Sequence, residues 1–383
     1  MPVERKGKTV DQVSRRTFLK GAAVLGGGAL LLPALPERAA WASNVAKLGV
    51  FAEPDKVNTK TFLEAFDHFN SEIGRHVNLY RTYRGWGDPV FTDLVNKILA
   101  EPSAPNLYLS FHPFIGTKGT SGCLGWRDIA NGLFDGQIDS WAQELAKLGP
   151  TYVAFNHEME NEEGTPPPTG QTNGTACGTP ADFKDAYWHF RARMEVHNGL
   201  TNLTWVNTFM GNTFRGKHGG PDRWWPTALD PGYTGVVPNN HLVGVDVYNR
   251  YKCHGKTWFT FNYLAGPAQQ FAAGKSRRFF IGECGTVEGN ECGGTMGSGT
   301  AKAQWFRNAL ANMKGWSNLE AFCYSDVSGF QDGNYRIDSS AQSLSAFTAL
   351  ANDVLFTEAP PIISRGIDPA GYVARHQIRP PRK

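Results

Sequence analysis

The sequence predicts an α/β fold, a single (β/α)8 TIM barrel with long Cys-containing loops at the catalytic face. Strand-like and helix-like segments alternate from residue 46 to residue 354, and eight strands emerge. Gly-rich loops follow the strands and precede the helices, as crossover connections between parallel strands require. A closed barrel is favoured over an open dinucleotide-binding sheet, because no GxGxxG motif follows the first strand.

The strands are recognised as short runs of β-branched and aromatic residues that suit burial on both faces. In chain order they are AKLGVF, HVNLYRTY, NLYLSF, TYVAFN, NLTWVNTF, HLVGVDVY, RRFFIGE and LEAFCY. A helical pattern follows every strand except the fifth. These helices are TKTFLEAFDHFNSEI, VFTDLVNKILAE, GQIDSWAQELAKL, ADFKDAYWHFRARMEVHNG, KTWFTFNYLAGPAQQFAAG, TAKAQWFRNALANMKG and SAQSLSAFTALANDV.

The N-terminal segment has the pattern of a twin-arginine export signal. Arg15 and Arg16 precede an apolar stretch over residues 21–32 and a small-residue site over residues 40–42. The apolar stretch is shorter than the roughly 20 residues that a bilayer span needs. We therefore expect a signal peptide over residues 1–42, with no stable membrane insertion, and a mature protein that is secreted or periplasmic.

The remaining chain divides into two parts. Residues 43–354 are long enough for one barrel with extended loops. Residues 355–383 form a Pro-rich basic tail, which we interpret as a solvated or disordered terminus. The sequence contains nothing that specifies an oligomer, and a monomer is expected.

Composition argues against nucleic acid as a partner and favours carbohydrate. The chain has 38 basic and 35 acidic residues, a net charge of +3, so no strong basic surface is expected. Aromatic residues make up 12% of the chain, and 11 are Trp. Because flat aromatic faces stack on sugar rings as well as filling cores, this favours a polysaccharide substrate without proving one.

Two glutamates lie where a predicted strand runs into a Gly-rich loop. Glu158 follows TYVAFNH, and Glu283 ends RRFFIGE. Burying a carboxylate is costly, and the ends of parallel barrel strands gather at one face, so the pair indicates a site. One carboxyl group can protonate a glycosidic oxygen while the other attacks the anomeric carbon. The sequence therefore predicts a retaining glycoside hydrolase, with about 5 to 5.5 Å between the carboxyl groups.

Six cysteines in an exported chain predict disulfides. The candidates, all in Gly-rich loop sequence, are Cys123, Cys177, Cys253 and Cys292. We expect Cys123 to pair with Cys177 and Cys253 with Cys292, each pair joining neighbouring loops. Cys284 and Cys323 lie in apolar strand sequence and are expected to stay reduced. With no CxxC motif and scattered histidines, neither a metal nor a cofactor is expected.

Longer stretches of the chain resemble glycoside hydrolase family 26, which contains many β-mannanases. These are IANGLFDGQIDSWAQELAKLGPTYVAFNHEMENEEG, YWHFRARMEVHNGLTNLTWVNTF, LVGVDVYN and FFIGECG. The resemblance implies a barrel in which Glu158, directly after His157, is the acid/base and Glu283 is the nucleophile. It also implies that Tyr248 in GVDVYN contacts the nucleophile.

Further substrate-binding candidates lie near these motifs. His157, and His112 in LSFHPF, could donate hydrogen bonds to sugar or orient the carboxylates. Asn249 follows Tyr248 and could instead cap its strand. The pair Trp224 and Trp225 could be a sugar platform or a loop plug, and the sequence does not decide between them.

The chain departs from the family pattern in its substrate-contacting loops. The family follows His-Glu-Met with Asn-Gly and a nearby tryptophan, whereas residues 160–180 here carry extra carboxylates, prolines and Cys177. A tryptophan expected on the eighth strand is replaced by residues 323–325. We expect the added acidic groups to repel anionic polysaccharides, which leaves a neutral one, with β-1,4-mannan first.

Three alternatives remain open on the sequence. The enzyme could be a mixed-linkage β-glucanase or a β-1,3-glycan hydrolase of the same fold. A catalytically inactive carbohydrate-binding barrel is a different class, which the presence of both glutamates disfavours. A metal-dependent deacetylase or lyase would need a cluster of His and Asp ligands, and the ten histidines are scattered along the chain.

Overall fold

Eight parallel strands close into a barrel in the computed structural model. The model describes residues 45–55, 58–101, 103–115, 122–227, 240–297, 299–330 and 333–357. The described strands are β1 (Lys47–Ala52), β2 (Leu79–Arg84), β3 (Asn106–Phe111), β4 (Cys123–Leu124), β5 (Thr151–Phe155), β6 (Thr172–Asn173), β7 (Leu203–Met210), β8 (His241–Asn249), β9 (Phe279–Thr286), β10 (Leu319–Asp326), β11 (Ser328–Phe330) and β12 (Gly333–Asn334).

The barrel has the strand order β1–β10–β9–β8–β7–β5–β3–β2, closed by the pairing of β2 with β1. Two antiparallel ribbons, β4 with β6 and β11 with β12, lie outside it. Each of the eight predicted strands overlaps one barrel strand, so the predicted (β/α)8 TIM barrel is confirmed.

Helices connect most of the barrel strands. They are α1 (Phe62–Ile73), α2 (Asp93–Leu99), α3 (Trp126–Ala130), α4 (Asp135–Leu145), α5 (Pro180–Ala192), α6 (Phe261–Gly274), α7 (Thr300–Lys314), α8 (Ala341–Ala351) and α9 (Val354–Thr357). Between β7 and β8, the described residues 211–227 form short 3-10 turns and no α-helix, as the sequence pattern predicts. Among the described residues, none of the helices is long and apolar enough to cross a membrane.

Local sequence explains where helices begin and which face they bury. The side chain of Thr61 caps α1 by accepting a hydrogen bond from the backbone N–H of Glu64. The carboxylate of Glu64 in turn accepts a hydrogen bond from the backbone N–H of Thr61. Thr179 and Asp182 form the same reciprocal cap on α5. In α1 the buried positions are Ala65, Phe66, Phe69, Asn70 and Ile73, which share one helical face against the barrel.

Two disulfides hold the loops above the barrel. Cys123 pairs with Cys177 and Cys253 with Cys292, with Cα atoms 5.3 Å and 4.9 Å apart. These are the pairs expected from the sequence. Cys284 and Cys323 are buried free thiols, also as expected.

The C-terminal boundary of the barrel lies further along than the sequence suggests. We predicted the tail to begin at residue 355, but Leu355 and Phe356 in α9 are buried. The backbone N–H of Ala46 also donates to the carbonyl of Leu355 at 2.7 Å, which ties α9 to the start of β1. These residues belong to the folded domain because their apolar side chains complete its core. The predicted signal, residues 1–42, and residues 358–383 lie outside the described residues.

Candidate active site

The two glutamates singled out in the sequence lie at the carboxyl ends of barrel strands. Glu283 is in β9, the seventh barrel strand, and Glu158 follows β5, the fourth, by three residues. Both side chains are partly exposed. In (β/α)8 barrels this face holds the active site, because the loops after all eight strands converge there.

Glu283 is surrounded by hydrogen-bond donors. Tyr83 donates to Oε1 at 2.6 Å and Tyr248 donates to Oε2 at 2.8 Å. Nη2 of Arg81 lies 3.4 Å from Oε1. Burial raises the pKa of both tyrosines well above the ordinary value, so each phenol keeps the proton that it donates. This set of donors is complementary to a carboxylate anion and fixes its orientation.

Arg81 supplies a fixed positive charge beneath Glu283. Its side chain is fully buried, and its guanidinium lies over the rings of Tyr83 and Tyr108 at 4.2 Å and 3.9 Å. Burial acts to lower the pKa of Arg81, but the neighbouring phenols and the charges of Glu283 and Asp246 outweigh it and raise the pKa. The charge is therefore permanent, and it faces the carboxylate from inside the barrel.

Glu158 is presented by a strained turn. Its φ of 54° is in the left-handed region, and so is the φ of 50° at Asn156. Residues other than glycine adopt this conformation at a cost of about 1 to 3 kcal/mol, and such strain is concentrated at functional sites. The backbone N–H of Glu158 donates to the carbonyl of Thr208 at 2.9 Å, which pins the turn to β7.

Two histidines in contact lie between Glu283 and the acidic turn that follows Glu158. Nε2 of His157 lies 3.9 Å from Oε1 of Glu283, and its ring lies 4.9 Å from that of His112. Nε2 of His112 in turn lies 3.4 Å from Oε1 of Glu162. The structure thus brings His112, His157 and Tyr248 to one cluster around Glu283.

A protein-family model matches the N-terminal segment of the chain. The model for the TAT (twin-arginine translocation) pathway signal sequence matches residues 12–31. The predicted export signal is confirmed, and the protein is exported by the twin-arginine pathway. No curated protein sequence matches the chain.

Several solved structures share the barrel. A modular endo-β-1,4-mannanase from Cellulomonas fimi superposes with a TM-score of 0.54 at 17% identity, over 84% of this chain and 74% of the mannanase. A β-mannanase from a symbiotic protist of the termite Reticulitermes speratus gives 0.50 at 15% identity, over 83% and 91%. The catalytic domain of a GH26 endo-β-1,4-mannanase from Bacillus sp. JAMB-750 gives 0.50 at 14% identity, over 81% and 86%. The chain has the fold of glycoside hydrolase family 26.

Within this family 26 fold, the acidic turn after Glu158 points inward. Glu160 is 2% exposed and accepts hydrogen bonds from the backbone of Met210 and the hydroxyl of Thr213. Glu162 is 6% exposed, and one of its oxygens accepts from the amide of Asn156. Burial raises the pKa of Glu160 to about 8 and that of Glu162 well above the ordinary value. Our expectation that these carboxyl groups line the cleft as repelling charges is therefore wrong.

Glu163 is the member of this acidic run that stays at the surface. It forms an ion pair with Arg223, with 2.9 Å between Oε2 and Nη1. Its charge is therefore already neutralised by a neighbouring loop, and it adds little repulsion to the cleft.

Asp246 is a buried carboxyl group beside the nucleophile candidate. It pairs in register with Glu283 across β8 and β9, and burial together with the charges of Glu283 and Glu158 raises its pKa well above the ordinary value. The ligand atoms of His157, Asp246 and Glu283 lie within 4.8 Å of one another, close enough to hold a metal ion. The Arg81 guanidinium, 3.4 Å from Glu283, repels a cation at this position.

Trp224 and Trp225, two of the substrate-binding candidates, have structural roles. Trp224 is fully buried, packs against Trp126 and donates from its indole to the carbonyl of His218. Trp225 is 3% exposed and stacks on His241, with ring centroids 4.4 Å apart. Neither offers a face to sugar, so of the two possibilities that the sequence left open the pair is a loop plug and not a sugar platform.

Asn249 is likewise occupied within the fold. It is fully buried, donates from its amide to the hydroxyl of Thr286 and accepts from the backbone of Phe259. Of the two roles that the sequence left open, Asn249 has the structural one and not substrate binding, because both ends of its side chain hold the end of β8 in place.

Arg81, Tyr83 and Ser325 lie in the candidate site but were not predicted from the sequence. Ser325 lies at the end of β10 and its hydroxyl is 2.8 Å from that of Tyr248. In the strand LYRTYR, Arg81 and Tyr83 are two residues apart and share a face. A charged residue in the middle of a buried barrel strand was the available signal, since a buried charge needs a partner.

Proposed function

We propose that the protein is a secreted retaining endo-β-glycanase that hydrolyses a neutral polysaccharide by double displacement. The observation that carries this proposal is the carboxylate of Glu283, held by Tyr83 and Tyr248 beside the charge of Arg81. Glu158 and Glu283 both lie at the carboxyl ends of barrel strands, and the charges of both raise the pKa of buried Asp246. The family 26 fold is consistent with this activity, because the solved structures with that fold include mannanases.

In the first step, Glu283 attacks the anomeric carbon of the sugar and forms a covalent ester. Glu158 donates its proton to the departing glycosidic oxygen, so the bond breaks without releasing an alkoxide. The two phenols keep the attacking carboxylate aligned, since each binds a different oxygen of Glu283.

In the second step, water replaces the departed chain. Glu158, now ionised, takes a proton from the water as it attacks the anomeric carbon, and the ester bond to Glu283 breaks. Arg81 stabilises the carboxylate of Glu283 as it forms again, because its charge is fixed in the barrel interior with Nη2 at 3.4 Å from Oε1 of Glu283. Two inversions at the same carbon give overall retention.

The first candidate substrate is β-1,4-mannan. The solved enzymes with this fold are described as β-mannanases, two of them as endo-β-1,4-mannanases. With Glu160 and Glu162 buried, the preference for a neutral chain rests on the carboxylate of Glu283. A mixed-linkage β-glucan or a β-1,3-glycan is the second candidate, because residues 323–325 stand where the family pattern has a tryptophan and the Trp224–Trp225 pair is buried.

The test is hydrolysis of a panel of purified polysaccharides with product lengths measured. We expect activity on a neutral β-glycan, and a loss of at least about a thousandfold in both Glu158→Ala and Glu283→Ala. Glu163→Ala is the matched control, since its ion-paired carboxylate lies at the surface of the same loop. Polysaccharide binding without hydrolysis by the wild-type protein would instead identify a carbohydrate-binding barrel. Faster turnover of alginate or polygalacturonate than of every neutral glycan would contradict the substrate class.

A further inference from the structure

A second cluster of possible metal ligands joins helix α1 to the loop before α8. His68 and Glu72 are one turn apart on α1, and Asp338 lies in the loop between β12 and α8. Nε2 of His68 is 3.9 Å from Oε1 of Glu72 and 3.7 Å from Oδ2 of Asp338. One ligand atom from each residue lies within 4.8 Å of the other two.

Hydrogen bonding does not explain this arrangement. Nε2 of His68 and Oε2 of Glu72 are shielded from solvent, and neither has a hydrogen-bond partner among the described residues. The separations of 3.7 Å and 3.9 Å exceed those of a hydrogen bond. Shielded polar atoms without partners destabilise the folded state, so the cluster is incomplete as it stands.

The charges around the cluster favour a cation. With a neutral imidazole, Glu72 and Asp338 leave two negative charges close together. Lys302 on α7 interacts electrostatically with Asp338, but its ammonium group is bound to the carbonyl of Arg336 and the hydroxyl of Ser339. A bound cation would relieve the repulsion that these groups leave.

We propose that His68, Glu72 and Asp338 form a binding site for a divalent transition-metal ion of the Zn²⁺ type. Imidazole nitrogen with two carboxylate oxygens is a donor set that suits Zn²⁺ better than Ca²⁺ or Mg²⁺, which prefer oxygen alone. Metal–ligand bonds of about 2.0 to 2.2 Å require ligand atoms about 3 to 3.5 Å apart, a small inward shift of each side chain. The side chains are 22% to 30% exposed, so water completes the coordination.

The site would link the segments that follow the first and the last strands of the barrel. α1 follows β1, and Asp338 follows β10, and these two strands are paired in register from Lys47 to Ala52. Phe69 of α1 already packs against Phe347 of α8, with ring centroids 5.7 Å apart. A metal ion shared between α1 and the loop before α8 would therefore join the first and last βα units of the barrel. It would stabilise the native state and not the unfolded chain, in which these ligands are far apart. The inference does not depend on the proposed glycanase activity.

Zinc binding to the mature, untagged chain at pH 7.5 tests the proposal. Equilibrium dialysis should find a zinc ion bound in the wild-type protein, and Tm should rise with zinc concentration and return on chelation. His68→Gln and Asp338→Asn should each weaken zinc binding at least about tenfold and remove the rise in Tm. His76→Gln, which alters an exposed histidine just after α1, should behave as the wild type. Calcium at the same concentration should give a much smaller rise in Tm.

Several results would overturn the site. These are an absence of zinc binding in the wild-type protein, zinc binding that survives both ligand variants, and an equal rise in Tm with calcium. If either variant fails to fold by circular dichroism, Glu72→Gln serves as the second ligand variant and carries the same expectation. Stability that depends on the protonation of His68 but not on zinc would show an ion pair only, and would also reject the proposal.

Discussion

Tyr83 on the second barrel strand donates a 2.6 Å hydrogen bond to Oε1 of Glu283 on the seventh. The two strands are not neighbours in the barrel, so the bond crosses the mouth of the site. Tyr83 also packs edge-on against Phe51, at 5.1 Å between ring centroids, which fixes the phenol. The nucleophile candidate is thus oriented by a residue that the motif around Glu283 does not include.

We predict that Tyr83→Phe lowers kcat by about 10- to 100-fold with little change in stability. Its ring and packing remain, while one hydrogen bond to a charged group, worth about 1.5 to 3 kcal/mol, is lost. Steady-state kinetics on the best substrate measures this. Tyr263→Phe is the control, because that ring is 49% exposed on α6. Equal kcat in wild type and Tyr83→Phe would show that the bond does not matter for turnover.

Glu160 should make the stability of the protein fall as pH rises. Its pKa is raised by burial from 4.5 to about 8 in the folded state. The folded chain therefore holds a proton that the unfolded chain has released, and the stability from the neutral carboxyl group is complete below about pH 4.5 and lost as pH rises through about 8. Glu160→Gln keeps the shape of the side chain and should flatten this decline.

Urea unfolding at a series of pH values measures the effect. Between the two pKa values, the free energy of unfolding changes with pH at different rates in the wild type and in Glu160→Gln. The two slopes should differ by at most about 1.4 kcal/mol per pH unit. Glu163→Gln removes an ion-paired surface carboxylate of the same loop and should leave the slope as in the wild type. Parallel curves for Glu160→Gln and wild type would show that Glu160 is not held neutral.

The disulfide between Cys123 and Cys177 should contribute substantially to stability. It joins residues 54 apart in sequence, and in the chain-entropy model such a crosslink is worth about 4 kcal/mol. We expect the double variant Cys123→Ser/Cys177→Ser to lose about that much free energy of unfolding. Mass mapping of the non-reduced wild type should find only Cys284 and Cys323 as free thiols. Additional free thiols in the native protein would contradict the pairing.

The fold and the strand-end glutamates could be predicted because barrel strands are buried on both faces. The run NLYLSF coincides with β3, and Glu283 is the residue that interrupts the apolar run of β9. In such strands a polar side chain appears mainly where the strand reaches the site. The same logic applied to Arg81 and Tyr83 would have found them as well.

The directions of loop side chains could not be predicted. Asn156 and Glu158 adopt left-handed conformations without being glycine, and this turn sends Glu160 and Glu162 into the interior. Nothing in the letters HEMENEEG signals such a turn, because the contacts that hold it come from β7, more than 40 residues away. The loop before β8 likewise folds back, so that Trp224 fills a space that only the tertiary structure defines.

The measurement that tests the central claim most directly is the configuration of the first product. Proton NMR of the reducing-end anomer, recorded within the first minutes of hydrolysis of the preferred β-linked polysaccharide, should show the β anomer before it mutarotates. Glu283→Ala with added azide should give a glycosyl azide of inverted configuration, because azide takes the place of the missing nucleophile. An α anomer as the first product of the wild-type protein would contradict double displacement through Glu283.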